Sequence, residues 1–161
     1  MFRKMRRGAQ ALDAQACREI LHQGREGVLA LRGEGGYPYA VPLNYVFDED
    51  EGRIFFHCAI EGHKLDAIAR CDKACFCVIA QAEVDPERYT TRFRSVVAFG
   101  RVRVLEEDDR KRVAIEKLAC KYAPQDAPER RQEMIQGSYG RLAMLEMRIE
   151  HLTGKRSKDL P

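Results

Sequence analysis

No apolar run in the 161 residues is long enough to span a bilayer, so no membrane partner is expected. There is no P-loop, GxGxxG, GxSxG or HExxH pattern, which removes the usual signatures of nucleotide folds, serine esterases and zinc proteases. Serine is scarce, so a serine nucleophile with His and Asp partners has few candidates. Charge of one sign is lacking too. The 28 Lys and Arg against 25 Asp and Glu leave only +3, spread along the whole length. That argues against nucleic acid as the main partner, because duplex binders gather basic charge on one face. No internal repeat or low-complexity stretch is present. Met1-Phe2-Arg3-Lys4-Met5-Arg6-Arg7 is basic, but no apolar h-region follows it. It is therefore not a secretory signal, and the expected location is the cytoplasm.

What is present is the composition of a folded domain: 45% apolar and 33% charged residues, in a length that fits one domain over 1–161. Six cysteines stand at 17, 58, 71, 75, 77 and 120. Disulfides are not expected in the cytosol. A metal site on Cys71-x3-Cys75-x-Cys77 is not expected either, since CxxC pairs are absent. Cys75 and Cys77 instead alternate with Ala74, Phe76 and Val78 and share one face of a strand, as small hydrophobes.

Periodicity yields a mainly antiparallel β protein. Asp13 is a candidate N-cap for a helix carrying Cys17, Ile20 and Leu21 and stopping at Gly24. Strands are expected over Glu26 to Arg32, Tyr37 to Phe47, Arg53 to Ala59, Lys73 to Val84, Phe93 to Leu105 and Leu142 to His151. Pro42 removes a ladder donor, which places its strand at an edge or a bulge. Gly100 marks a bulge or a close approach. A short helix, His63 to Arg70, buries Leu65, Ile68 and Ala69. A longer one, Glu107 to Tyr122, carries Val113, Ile115, Leu118 and Ala119, and Glu129 to Gln136 forms another short helix. Thr153 to Pro161 reads as a loose polar tail. Six strands joined mostly by hairpins describe a small closed barrel with helices outside.

The richest stretch is Phe55-Phe56-His57-Cys58-Ala59-Ile60-Glu61-Gly62-His63-Lys64. A strand delivers His57, then a glycine turn opens a helix whose free N–H groups lie beside Lys64 and His63. Positive helix end, free N–H groups and ammonium together suit a phosphate. The plain alternative is a strand, a turn and a helix with a solvated Lys64 and a surface His63. Cys58 and His57 point to opposite strand faces, so they do not form a nucleophile–base pair. A phosphate grip without strong acid–base machinery fits a protein whose cofactor carries the chemistry. Flavin mononucleotide (FMN) is one candidate among several.

Four signatures, in order, resemble a known family: Tyr39-x-x-Pro42-Leu43-Asn44-Tyr45, Phe56-His57-x-Ala59-x-x-Gly62-x-Lys64, Ser95-Val96-x-x-Phe99-Gly100 and Leu152-Thr153-Gly154-Lys155. They look like the nitroimidazole-resistance (Nim-type) branch of the pyridoxamine 5′-phosphate oxidase-like flavoproteins, from Arg6 to Lys155. The resemblance implies a six-stranded antiparallel split β-barrel homodimer with FMN at the subunit interface. By similarity, Pro42, Leu43, Asn44 and Tyr45 run along the isoalloxazine through backbone contacts, while Phe56, His57, Cys58 and Ala59 flank the ring and ribityl chain. Gly62, His63 and Lys64 stand where the oxidase carries a Ser-Arg-Lys phosphate clamp, with fewer fixed donors here. Arg94 and Ser95 are expected from the other subunit, and His57 as the catalytic group near the flavin's reactive edge. The oxidase's C-terminal Arg- and His-bearing segment has no counterpart, so pyridoxamine phosphate oxidation itself is not implied.

The resulting expectation is an FMN-dependent reductase of small electron acceptors such as nitro-aromatics, with NADH or NADPH as donor. Its rivals are a non-catalytic flavin-binding or storage protein, and a haem-binding split barrel with His57, His63 or His151 as axial ligand.

Overall fold

A computed structural model describes residues 2–160. In chain order it contains β1 (Ala11–Leu12), α1 (Ala14–Gln23), β2 (Glu26–Arg32), β3 (Pro38–Asn44), β4 (Val46–Asp48) and β5 (Arg53–Ala59). These are followed by α2 (His63–Arg70), β6 (Lys73–Asp85), β7 (Thr90–Val104), α3 (Asp108–Tyr122), α4 (Pro128–Ser138) and β8 (Leu142–Arg156). The boundaries have local causes. Asp13 Oδ1 accepts the Ala16 N–H at 2.8 Å and caps α1. Pro128 opens α4, where its missing N–H costs nothing.

All strand pairs are antiparallel, in the order β3-β2-β6-β7-β8-β5-β4, with β1 added to β8. The sheet therefore has eight strands rather than six, and hydrogen bonds do not close it: β3 and β4 stand at opposite ends of the order. The expected strand Tyr37 to Phe47 breaks at Tyr45, and its two parts serve the two ends. β3 is an edge strand, which is how Pro42 is accommodated.

The strands bury Leu29, Phe56, Phe76, Val96 and Met147 inside the curved sheet, under α1 and α2. The outer face of β5 and β8 carries a second core, in which Phe55 and Met144 pack beneath Ala114, Ile115 and Leu118 of α3. Helix faces differ slightly from expectation. Ala67, not Ala69, accompanies Ile68 inside. On α3, Ala114 takes the buried place and Val113 is exposed.

Two bulges interrupt the ladders. One leaves Ala80 unpaired between Ile79 and Gln81. The other lies opposite Phe99 and Gly100, where a Cβ on Gly100 would sit 2.0 Å from the Arg148 carbonyl oxygen. Only glycine permits that approach. The expected loose tail is a further correction. β8 continues through Arg156, with Gly154 and Lys155 paired to β1 on one side and β7 on the other. Polar side chains on an outward face hid a strand that β7 pairs through Arg156 and β1 pairs at Gly154 and Lys155. Pro161 lies outside the described residues.

Buried Glu146 sits on the outer face, 2% exposed. It accepts hydrogen bonds from Arg53 at 2.8 Å, Arg103 at 3.0 Å and Arg110 at 2.6 Å. Burial pushes its carboxyl upward, but the bonds from Arg110 and Arg103 outweigh it and hold the pKa below the usual glutamate value. Glu146→Gln should lose about 2–4 kcal/mol of unfolding free energy, toward the low side for a buried charge because the arginines are partly solvated. In the parent this contribution is complete above the unfolded glutamate pKa of about 4.3 and is lost as pH falls through the lowered folded value. Urea titrations across that range should show a flatter acid limb in the variant.

Candidate functional site

β3, β5 and the start of α2 meet where the sheet remains open. β5 ends at Ala59, and the turn reaches Gly62 with φ +124°, a conformation that favours glycine. A Cβ at Gly62 would meet nothing within 4 Å, so the space in front of the helix is clear. The N–H groups of Leu65 and Asp66 return to the Gly62 carbonyl, at 2.9 and 3.3 Å. Those of His63 and Lys64 precede the first helical hydrogen bond and so have no partner within the helix. The His63 ring is stacked on Tyr39 of β3, with centroids 4.2 Å apart. That contact ties the helix start to the edge strand.

Lys64 is half-buried at this corner. His57, on the neighbouring strand end, is exposed at the rim. Desolvation by the surrounding protein, and then the Lys64 ammonium, hold its pKa below the ordinary histidine value. Burial pushes the Cys58 thiol up, against a smaller opposite pull from Lys64. Lys64 therefore acts electrostatically on both strand residues.

The other expected residues divide. Pro42 and Asn44 face outward, with Asn44 Nδ2 donating to the Arg25 carbonyl at 3.1 Å. Leu43 packs against the core and Phe56 lies fully within it. Tyr45 is buried, its hydroxyl donating to the Leu21 carbonyl at 2.8 Å and its ring edge-on to Phe76. Its side chain is thus structural. Ala59 is exposed at the strand end. Arg94 and Ser95 have as register neighbours Gln81 and Ile79 on β6, and Arg156 and Lys155 on β8. None of these belongs to the β3–β5–α2 group. Of the histidines considered as haem ligands, His57 and His63 share this corner. His151 stacks on Phe2 at 4.4 Å, beside Phe99 on the outer sheet face.

Sequence patterns missed Tyr122 and Lys121. The Tyr122 hydroxyl accepts the Tyr45 N–H at 3.0 Å and has the carbonyls of Arg25 and Tyr45 within reach. Lys121 lies over the Tyr45 ring at 4.0 Å and donates to the Gly24 carbonyl at 2.6 Å. Burial, then Arg25, lowers its pKa to about 8. These partners are 77 and 97 residues away in sequence, and no short motif encodes such a contact.

The sequence pattern of the pyridoxamine 5′-phosphate oxidase family matches residues 13–156. The chain belongs to this family. No curated protein matches it closely enough to count as a relative. Solved structures share the fold. A Bacteroides thetaiotaomicron protein named for 5-nitroimidazole antibiotic resistance superposes with a TM-score of 0.77 at 19% identity, over 91% of this chain and 86% of its own. An FAD-binding protein from Mesorhizobium loti gives 0.62 at 19%, over 92% and 98%. The flavocytochrome Anf3 of Azotobacter vinelandii gives 0.74 at 16%, over 98% and 74%.

If Lys64 lowers the His57 pKa through space, Lys64→Gln should raise it part of the way back, leaving the larger desolvation effect in place. NMR titration of the His57 ring proton in the two proteins measures this. Coincident curves would show that desolvation alone acts.

Proposed function

We propose that the protein is an FMN-binding reductase of small electron acceptors, of which nitro-aromatics are the leading class. The observation that carries this reading is the corner formed by Gly62, His63 and Lys64. An ammonium, an imidazole and the first N–H groups of α2 stand together there, next to an exposed strand edge and His57. This donor set fits the phosphate of a flavin mononucleotide. Family membership supports a flavin, and so do the FAD-binding relative and the flavocytochrome among the shared folds. The B. thetaiotaomicron protein's name supports a nitroimidazole-type acceptor.

In this proposal Lys64 and the first N–H groups of α2 bind the phosphate, and the outward backbone of Pro42 to Asn44 lines the ring. A bound flavin supplies hydride and electron transfer from a reduced nicotinamide. His57 donates a proton to, or orients, the acceptor's reducible oxygen, tasks an imidazole can perform. A homodimer completes the site, with Ser95 and Arg94 reaching it from the second subunit. The exposed Val28 and Ile79, with half-buried Cys77 and Val97 on the same outer face, offer that subunit an apolar surface.

A charge-assisted contact is worth about 1.5–3 kcal/mol, so Lys64→Ala should weaken FMN binding roughly ten- to a hundredfold. Riboflavin, which lacks the phosphate, should bind parent and variant alike. Equal FMN affinities would overturn the phosphate assignment. In sedimentation equilibrium the same flavin-loaded samples should run at twice the chain mass of 18.5 kDa.

With flavin fully bound, His57→Ala should slow nitro-aromatic turnover about 10²-fold, and His57→Gln should recover part of it only if positioning dominates. Turnover within a few-fold of the parent would reduce His57 to a structural residue. Flavin that binds but is not reduced anaerobically by NADH or NADPH would favour storage over catalysis.

A further inference from the structure

Lysines and arginines are dispersed along the sequence, yet the fold sorts them by whether an acid meets them. Around the second core they are engaged: Arg101 by Asp72 and Glu150, Arg103 by Glu107 and Glu146, Arg110 by Glu51 and Glu146. The far end of β8 differs. Phe2 stacks on His151 and touches Phe99, while Ala11 pairs with Lys155. The segment between them joins the outer face at His151 to the β8 edge at Lys155, and its Arg3, Lys4, Arg6 and Arg7 are exposed. No Asp or Glu occurs over 2–12 or over 151–158. Of the acids that flank these windows, Asp13 is engaged as the cap of α1, Glu150 by Arg101 and Arg148, and Asp159 directly follows Lys158. None of those six cations forms an ion pair among the described residues.

The two chain ends thus contribute six cations against the single acid Asp159, a basic strip whose mutual repulsion an external anion would relieve. The strip has polar and aromatic features as well. Ser95 is the register partner of Lys155, Thr153 lies two residues before Lys155 on the same face, and Lys155 sits over the Phe93 ring at 5.4 Å. Cations, hydroxyls and a flat ring side by side match a diphosphate, a ribose and a base. The extended end of β8 beside this ring, residues 153–156, spans roughly 13 Å, a length suited to one half of a dinucleotide rather than to a long polyanion.

We propose that this strip binds the adenosine diphosphate half of a dinucleotide. The inference extends the flavin reading, in which Ser95 reaches the second subunit's cofactor; a ligand on the strip would then lie next to that flavin. The same moiety occurs in FAD and in nicotinamide dinucleotides, so the ligand's source is a matter for experiment.

Calorimetric titration of the full-length protein, freed of flavin, with ADP and with 2′,5′-ADP tests the strip directly. Saturable binding is expected, weakened at least tenfold in Arg6→Gln/Lys155→Gln and unchanged in Arg112→Gln/Arg130→Gln, which removes as much charge elsewhere. Circular dichroism melts would confirm that both variants fold. No ADP binding at millimolar concentration, or equal binding in both variants, would overturn the proposal. So would tight, strongly salt-dependent binding of duplex DNA that excludes ADP. FAD bound more tightly than FMN, with the difference lost in the strip variant, assigns the moiety to the flavin. A raised KM for NADPH in that variant, with FMN affinity unchanged, assigns it to the donor. Because the first titration needs no flavin, ADP binding without FMN binding would sink the flavin reading and leave the strip. FMN binding without ADP binding would do the reverse.

Discussion

A single residue carries the chain from one end of the sheet to the other. β3 and β4 are terminal in the strand order, yet only Tyr45 separates them. The sheet must therefore curl until its ends meet at that residue, although no ladder joins them. Tyr45 is held accordingly. Its ring is wedged against Phe76 under the Lys121 ammonium, its hydroxyl reaches Leu21 on α1, and its peptide groups engage Tyr122 on α3. A buried phenol satisfied at its polar tip adds both apolar burial and direction. Helices α1 and α3 are thereby locked to the same point.

The open corner used by the candidate site follows from that closure. Because β3 and β5 approach without pairing, their strand ends and the start of α2 stay free of the ladder that a closed barrel would place there. β5 is buried on both faces for most of its length, by the inner core and by the core beneath α3, and becomes accessible only at His57. The strand is thus rigid up to the residue assigned a chemical role. Rigid support is what a group needs if it is to hold a reacting atom within a few tenths of an ångström.

Much of this was legible in the sequence, for reasons that are local. The limits of β5 and α2 follow from alternation, a glycine turn and helical spacing, and the structure has them at Arg53–Ala59 and His63–Arg70. The Asp13 cap and the edge position of Pro42 are likewise set by near neighbours or by covalent chemistry. What was not legible depends on distant partners. Nothing in Tyr37 to Phe47 announces a break at Tyr45, because its alternation continues through the change of partner strand. Thr153 to Arg156 looks like a tail because its side chains are polar and glycine is among them, while the pairing that holds it comes from β1 and β7. Tyr122 entered no candidate list because its role is defined by a tyrosine 77 residues earlier. The even spread of charge along the chain gave no hint of the unpaired strip, which exists only once the first and last segments lie together.

The place of β8 has a consequence for how the molecule is made. It is the last of the eight strands in chain order, but it lies in the interior of the sheet, between β7 on one side and β5 and β1 on the other. During synthesis both β5 and β7 expose unpaired edges until the final strand leaves the ribosome, and those edges are templates for pairing with other chains. The fold can only be completed after translation has nearly finished, in a topology of long-range contacts that form slowly. Chains truncated before Leu142 would then be expected to reach the cell's proteases and chaperones as sticky half-sheets, with β5 unpaired on one side and the second core unfinished.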